Sequence, residues 1–211
     1  EDVIRIEVTG SIRRRSETTK DVDIVASSND PAAVGEAFES YEGVKKVTGH
    51  GESKVSVTMK SGMSADLRIV NDEQFPYAVH HFTGSKEHNT LMRSRAKARG
   101  MKMNEYGLFS GEKIVPCEDE AAIFNKLGLS YIDPELREGL DEIDLAESGR
   151  LPDLVRQDQI VGTVHVHTTH SDGRASVEAM AASAQDADYG YIGICDHSQA
   201  VVYANGLNED R

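Results

Sequence analysis

Two aspartates separated by one residue, Asp21 and Asp23, head an apolar run, and a third, Asp66, lies in a later one. Residues i and i+2 of a strand face the same way. The segment D-V-D-I-V-A-S at 21–27 therefore reads as a strand anchored by Val22 and Ile24 or Val25, with two carboxylates on one side. Where Asp66 joins them, three carboxylates converge on one patch and repel each other unless cations lie between them. Hard oxygen donors in that number suit Mg²⁺ or Mn²⁺, which keep waters and bridge to a phosphate. Two such ions can activate an attacking oxygen and stabilise a departing pyrophosphate.

The residues upstream fit a phosphate ligand. Val3 to Thr9 alternates as a strand should, Gly10-Ser11 breaks the pattern, and Arg13, Arg14 and Arg15 follow. Glycine lets backbone approach a ligand closely. Free N–H groups and a serine hydroxyl after a strand can hold phosphate oxygens, and an arginine adds a bidentate contact. Alone, the Gly-Ser pair reads as a surface turn beside a solvated basic cluster. Joined to D-x-D and a third Asp, it reads as a nucleotide site.

These residues resemble the nucleotidyltransferase palm of the family X DNA polymerases. The match runs through G-S-I-R-R-R-S-E-T-T-K-D-V-D-I-V at 10–25 and A-D-L-R-I-V at 65–70, then H-F-T-G-S-K-E-H-N at 81–89 and N-E-Y-G-L at 104–108. It implies a metal-binding triad of Asp21, Asp23 and Asp66, with Gly10, Ser11 and Arg14 at the incoming triphosphate. It places His81, Phe82 and Gly84 against the incoming sugar, Asn89 at the minor-groove side of the nucleotide and Arg93 near the templating base. His81 stands where animal members carry Tyr, and Ser64 where they carry Arg beside the third Asp.

The segment 85–99 reads as a helix with Ser85 as N-cap and Gly100 as stop. Asn89, Arg93 and Lys97 recur every four residues on one face. From Lys86 to Lys102 there are six Lys or Arg and one acid. Such a stripe is either a solvated helix face or a contact for a phosphate backbone; beside the other motifs, Lys86, Arg93 and Lys97 read as DNA contacts. The whole chain is acidic, at −13, but unevenly so: residues 1–133 carry a net −3 and residues 134–211 a net −10. The excess thus falls outside the segments expected to meet DNA.

Further strands are expected at 44–49, 53–59 and 63–70, the last two joined by Lys60-Ser61-Gly62, and helices near 31–40, 72–82 and 118–127. The fold class is α+β: a palm sheet with helices at 1–84 and a small α/β thumb at 85–133. Residues 134–159, acidic and punctuated by Pro and Gly, read as a partly helical linker. No apolar run approaches the length of a membrane span. Cys117 and Cys195 give no disulfide framework, which fits a reducing cytoplasm.

A second motif follows, G-T-V-H-V-H-T-T-H-S-D-G at 162–173 and Asp196-His197-Ser198 after an expected helix at 175–187 and strand at 190–195. Imidazoles with a nearby carboxylate suit Mn²⁺, Zn²⁺ or Fe²⁺. Ligands at the carboxyl ends of strands in a strand–helix–strand unit follow the logic of a β/α barrel site. The motifs resemble the start of a PHP (polymerase and histidinol phosphatase) domain, which implies metal ligation by His165, His167, Asp172 and His197. Residues 160–211 are then the first β/α units of an incomplete PHP barrel, and the chain an internal piece of a longer polymerase.

The expected activity is template-directed, gap-filling DNA synthesis by a monomer acting on primed or gapped DNA and a dNTP. A PHP-type 3′-to-5′ exonuclease or phosphoesterase, a non-catalytic DNA-binding fragment and a nucleotidyltransferase for another substrate are the alternatives.

Overall fold

The computed structural model describes residues 2–210. The alternating runs at the start of the chain pair as β1 (Val3–Thr9), β2 (Asp21–Ser28), β3 (Val44–Gly51), β4 (Lys54–Met59) and β5 (Ser64–Val70). They form one sheet in the order β1-β2-β5-β4-β3. Its central pair, β2 and β5, is parallel and the other pairs are antiparallel.

Each face of β2 and β5 has its own cover. After a short turn of helix, α1 (Gly10–Arg13), comes α2 (Pro31–Glu39), which starts where the Asp30 carboxylate accepts the Ala33 N–H at 3.0 Å. Val34 and Phe38 of α2 pack on Ala26, Leu67 and Ile69. The opposite face meets α3 (Phe75–Thr83), where Ala78, Val79, Phe75 and Phe82 pack on Val25 and Val70. Asp21, Asp23 and Asp66 occupy this same face, towards the other end of the strands. Alternation thus puts apolar side chains under α3 and the acids beside it.

The chain continues with α4 (Lys86–Ala98), β6 (Met101–Asn104), β7 (Gly107–Ser110), β8 (Lys113–Ile114) and α5 (Glu120–Lys126). The Ser85 hydroxyl caps α4 by accepting the His88 N–H at 3.2 Å, and Gly100 follows it at φ +72, as the sequence predicts. The strands of the expected α/β thumb are β6, β7 and β8, whose two to four residues are too short for a period to mark their positions in the sequence. Asn104 makes the β6–β7 turn, accepting the N–H groups of Tyr106 and Gly107 on Oδ1. Tyr77, Met92, Leu108, Ile123, Phe124, Leu127 and Ile132 are buried in one cluster here. Tyr77 ties α3 into it, its hydroxyl donating to the Val115 carbonyl at 2.6 Å.

The expected linker at 134–159 needs correction. The chain divides into compact units at Glu1–Leu151 and Pro152–Arg211, so residues 134–151 belong to the first. Arg137 is completely buried there, bonding Glu120 at 2.6 Å and the Ile132 carbonyl at 2.9 Å, with its guanidinium over Phe124 and Tyr131. Helix α6 (Glu142–Glu147) buries Ala146 in the apolar cluster, and Glu142 meets the buried His88 at 2.9 Å. An acidic, Pro- and Gly-marked stretch looks like a linker because composition does not report pairing partners.

The second unit contains β9 (Gly162–Val166), α7 (Val177–Asp186) and β10 (Tyr191–Ile194), with β9 and β10 parallel. This is the expected strand–helix–strand order. Among the described residues, no helix is long and apolar enough to cross a membrane.

Candidate active site

Register brings the first three acids together. Asp23 pairs directly with Asp66 across the parallel β2–β5 ladder, and Asp21 is two residues along β2 on the same face. Burial pushes the Asp23 carboxyl up from its ordinary pKa, and the charges of Asp21 and Asp66 add to it. Burial also pushes Asp66 up, but hydrogen bonds from Lys54 and Ser56 and the charges of Lys54 and Arg68 outweigh it and leave Asp66 lowered. Lys54 Nζ lies 2.5 Å from Asp66 Oδ2. The patch thus has the character expected of a cation site: crowded anionic oxygens, one disfavoured in its charged form and one already holding a cation.

Sequence reasoning missed Lys54, Arg68 and Glu138. The hairpin at 60–62 carried a signal for the first two, since counting back from the turn pairs Ser56 with Asp66 and Lys54 with Arg68. That register sets Lys54 diagonally across from Asp66.

Gly10, Ser11, Arg14, Asp21, Asp23, His81, Phe82, Gly84, Lys86, Asn89 and Arg93 line a single open cleft of 490 Å³, together with Glu138. Every residue expected at the nucleotide lines this cleft. Asp66 adjoins through Asp23, and Lys97 lies one turn beyond Arg93 on the exposed face of α4. Gly10 has φ +65, and a Cβ there would run into the Asp23 carboxylate, so backbone and metal-type acid approach closely because the residue is glycine.

The three arginines after Gly10-Ser11 divide the work. Arg13 turns inward to Thr83 Oγ1 (2.7 Å) and Glu120 (2.6 Å). Arg14 faces the cleft, donating from Nη1 to the Thr83 carbonyl at 2.6 Å and from Nε to Glu138 at 2.8 Å. Arg15 is exposed beside Glu135.

The far wall comes from the end of α3 and the start of α4. His81 and Phe82 meet edge to face at 5.0 Å, and Arg68 lies 4.9 Å over the Phe82 ring. Burial lowers the His81 pKa, and Arg93 and Arg68 lower it further against Glu105, so its imidazole is neutral at neutral pH. Asn89 is buried and donates to the His81 carbonyl at 2.7 Å, fixing the turn between the helices. Gly84 has φ +70 and the Gly84–Ser85 peptide bond is cis.

In the second unit, one ligand atom each from His167, Asp172 and His197 lie within 4.8 Å of one another. His167 Nδ1 is 3.4 Å from Asp172, and His197 Nε2 is 3.6 Å from it. His167 Nδ1 is buried without a hydrogen-bond partner among the described residues. His165 stands outside this group of three. It has φ +66, which interrupts the strand alternation, and its ring lies 4.9 Å from that of His167. Asp196 braces the turn. It accepts from Ser171 Oγ (2.6 Å), the Thr168 N–H (2.7 Å) and Thr168 Oγ1 (2.5 Å), bonds that lower its pKa to about 2.

The chain is similar to several known proteins. The family described as DNA polymerase beta thumb matches residues 78–138. The DNA polymerase/3′-5′ exonuclease PolX of Bacillus subtilis is 40% identical over 99% of this chain, which spans 37% of that relative's length. A Repair DNA polymerase X of African swine fever virus is 28% identical over 61% of this chain and 78% of its own. Among solved structures, a ternary complex of Leishmania infantum polymerase beta is similar at a TM-score of 0.54 and 26% identity, covering 63% of this chain and 67% of that one.

Proposed function

We propose that this chain is part of a family X DNA polymerase and that its first unit is the nucleotidyl-transfer core of a gap-filling repair enzyme. The observation that carries the reading is the pairing of Asp23 with Asp66 beside Asp21, next to a cleft that Asp21 and Asp23 line together with Gly10, Ser11 and Arg14. Asp21, Asp23 and Asp66 would hold Mg²⁺ or Mn²⁺, and the burial and neighbouring like charges that raise Asp23 fit them to it. Bound there, the metal ions supply activation of the attacking oxygen and charge neutralisation on the phosphates. The protein's own share is positioning. Ser11 and Arg14 receive the triphosphate of a dNTP, and His81, Phe82 and Gly84 form the wall for its sugar. Asn89 meets the nucleotide's minor-groove side, and Arg93 the region of the templating base. Lys86, Arg93 and Lys97 meet the backbone of primed or gapped DNA, a binding weakened by salt. The primer 3′ oxygen attacks the α-phosphate and pyrophosphate leaves.

Single-nucleotide extension on gapped DNA tests this. With Asp66→Asn, extension should fall by about three orders of magnitude or more, because an electrostatic and positional contribution is lost together. Templated extension at the parent rate by that variant would refute the assignment.

The group of His167, Asp172 and His197 favours a second activity, metal-dependent phosphodiester hydrolysis by a PHP-type domain beginning in the second unit. The buried His167 Nδ1, which faces Asp172 without a hydrogen bond, and the mixed imidazole–carboxylate donors fit Mn²⁺, Zn²⁺ or Fe²⁺, with His165 a fourth donor nearby. Such an ion supplies an activated water. His167→Ala should lower the metal content of the purified protein and any release of 3′ nucleotides from DNA. Unchanged metal content would remove this reading. Both cysteines are free thiols, as they would stay in a reducing cytoplasm.

A further inference from the structure

Arg13, Arg14 and Arg15 each meet a different acid from a later stretch of the first unit. Arg13 pairs with Glu120, Arg14 with Glu138 and Arg15 with Glu135. The first pair is partly buried and continues through Glu120 to the completely buried Arg137. The third is exposed and lines no part of the cleft. The middle pair is inside the cleft, where Arg14 and Glu138 share the lining with Asp21 and Asp23. Glu138 follows Arg137, which the buried network anchors, and precedes Gly139, which turns at φ +77 against Glu87. Its carboxylate is therefore tethered at high effective concentration beside Arg14. To a guanidinium fork, a carboxylate and a phosphate present the same pair of anionic oxygens.

We propose that Glu138 is an in-chain competitor for polyphosphate at Arg14, holding the guanidinium while the cleft is empty and yielding it when a triphosphate arrives. This rests on the reading of Gly10, Ser11 and Arg14 as the triphosphate contacts. Arg14 Nε is already donating to Glu138 and Nη1 to the Thr83 carbonyl. A phosphate that takes the side-on fork of Nε and Nη2 therefore displaces Glu138, while the Thr83 bond on Nη1 keeps the side chain aimed. Glu138 thus sets the affinity of the cleft for its anionic ligand, and an empty site carries no uncompensated cation.

The test is calorimetric titration of the whole chain with inorganic tripolyphosphate in Mg²⁺. Glu138→Gln should tighten binding about fivefold, the scale of a partly exposed ion pair. Glu138→Asp, with a shorter reach, should give part of that gain, and Glu135→Gln none. In an Arg14→Ala background the gain from Glu138→Gln should vanish, a coupling that a purely structural role would not produce. Equal affinity in the parent and Glu138→Gln, with melting temperatures matched, overturns the role of Glu138 alone. No tripolyphosphate binding by any of these proteins overturns the triphosphate reading, and this inference with it.

Discussion

Single residues decide how close the charged groups of the cleft come to one another. Gly10 is the clearest case, since its missing Cβ leaves the room that Asp23 occupies. Gly10→Ala should cost about 1–2 kcal/mol for the left-handed backbone alone and displace the carboxylate as well. Gly62→Ala is the control: Gly62 also has positive φ, at +92, but nothing lies within 4 Å of the Cβ it would gain. Both variants should lose stability in chemical denaturation, and Gly10→Ala alone should lose at least about tenfold in primer extension. Matched extension by the two would mean that the close approach of Gly10 to Asp23 has no bearing on the reaction. The charged triplet 13–15 teaches the same lesson. Three identical side chains in a row are a structural link, a cleft-lining group and a surface charge, according to which acid each one meets.

At the scale of elements, α3 is the joint of the first unit. One side closes on the sheet through Ala78 and Val79, and Tyr77 and His80 enter the second cluster. His80 is completely buried beside His88 and Phe124, and neither ring nitrogen has a hydrogen-bond partner among the described residues. Burial drives its pKa well below the ordinary value, helped by the charges of Arg137, His88, His81 and Arg13. Burial likewise lowers His88, against the pull of Glu142 and Glu120. Both histidines are thus neutral when folded and take up protons on unfolding below pH 6.5, so stability is lost as pH falls from there towards their folded values. The slope should approach about 1.4 kcal/mol per pH unit for each proton. Denaturation between pH 7.5 and 5.5 should show this fall, and His80→Phe, which keeps a ring but cannot titrate, should flatten it. An unchanged pH dependence in His80→Phe would assign the effect to His88 or elsewhere.

For the whole molecule, the contrast lies in the depth of the two cores. The first unit buries Val25, Leu67, Met92, Leu108, Ile123, Phe124 and Ile132. In the second, α7 buries none of its residues, and Val164, Tyr191 and Val202 are exposed. Buried apolar area is the main source of stability, so amide exchange should be faster in β9, α7 and β10 than in β2, β5 and α5. Equal protection would contradict that expectation.

The sequence by itself determined the elements long enough to show a period, and with them much of the cleft. β2, β5, α2 and α4 follow from alternation, caps and stops, and the cleft residues from motifs that lie on or just after those elements. These features are local, so order and spacing are enough to see them. Only the tertiary structure decided what depends on long-range pairing. The direct pairing of Asp23 with Asp66, Lys54 on Asp66 and the place of Arg137 in a buried core are of this kind. The incorporation of 134–151 into the first unit and the hold of Glu138 on Arg14 are too. Each joins residues far apart in the chain, and charge or composition alone does not say which partner a side chain will find.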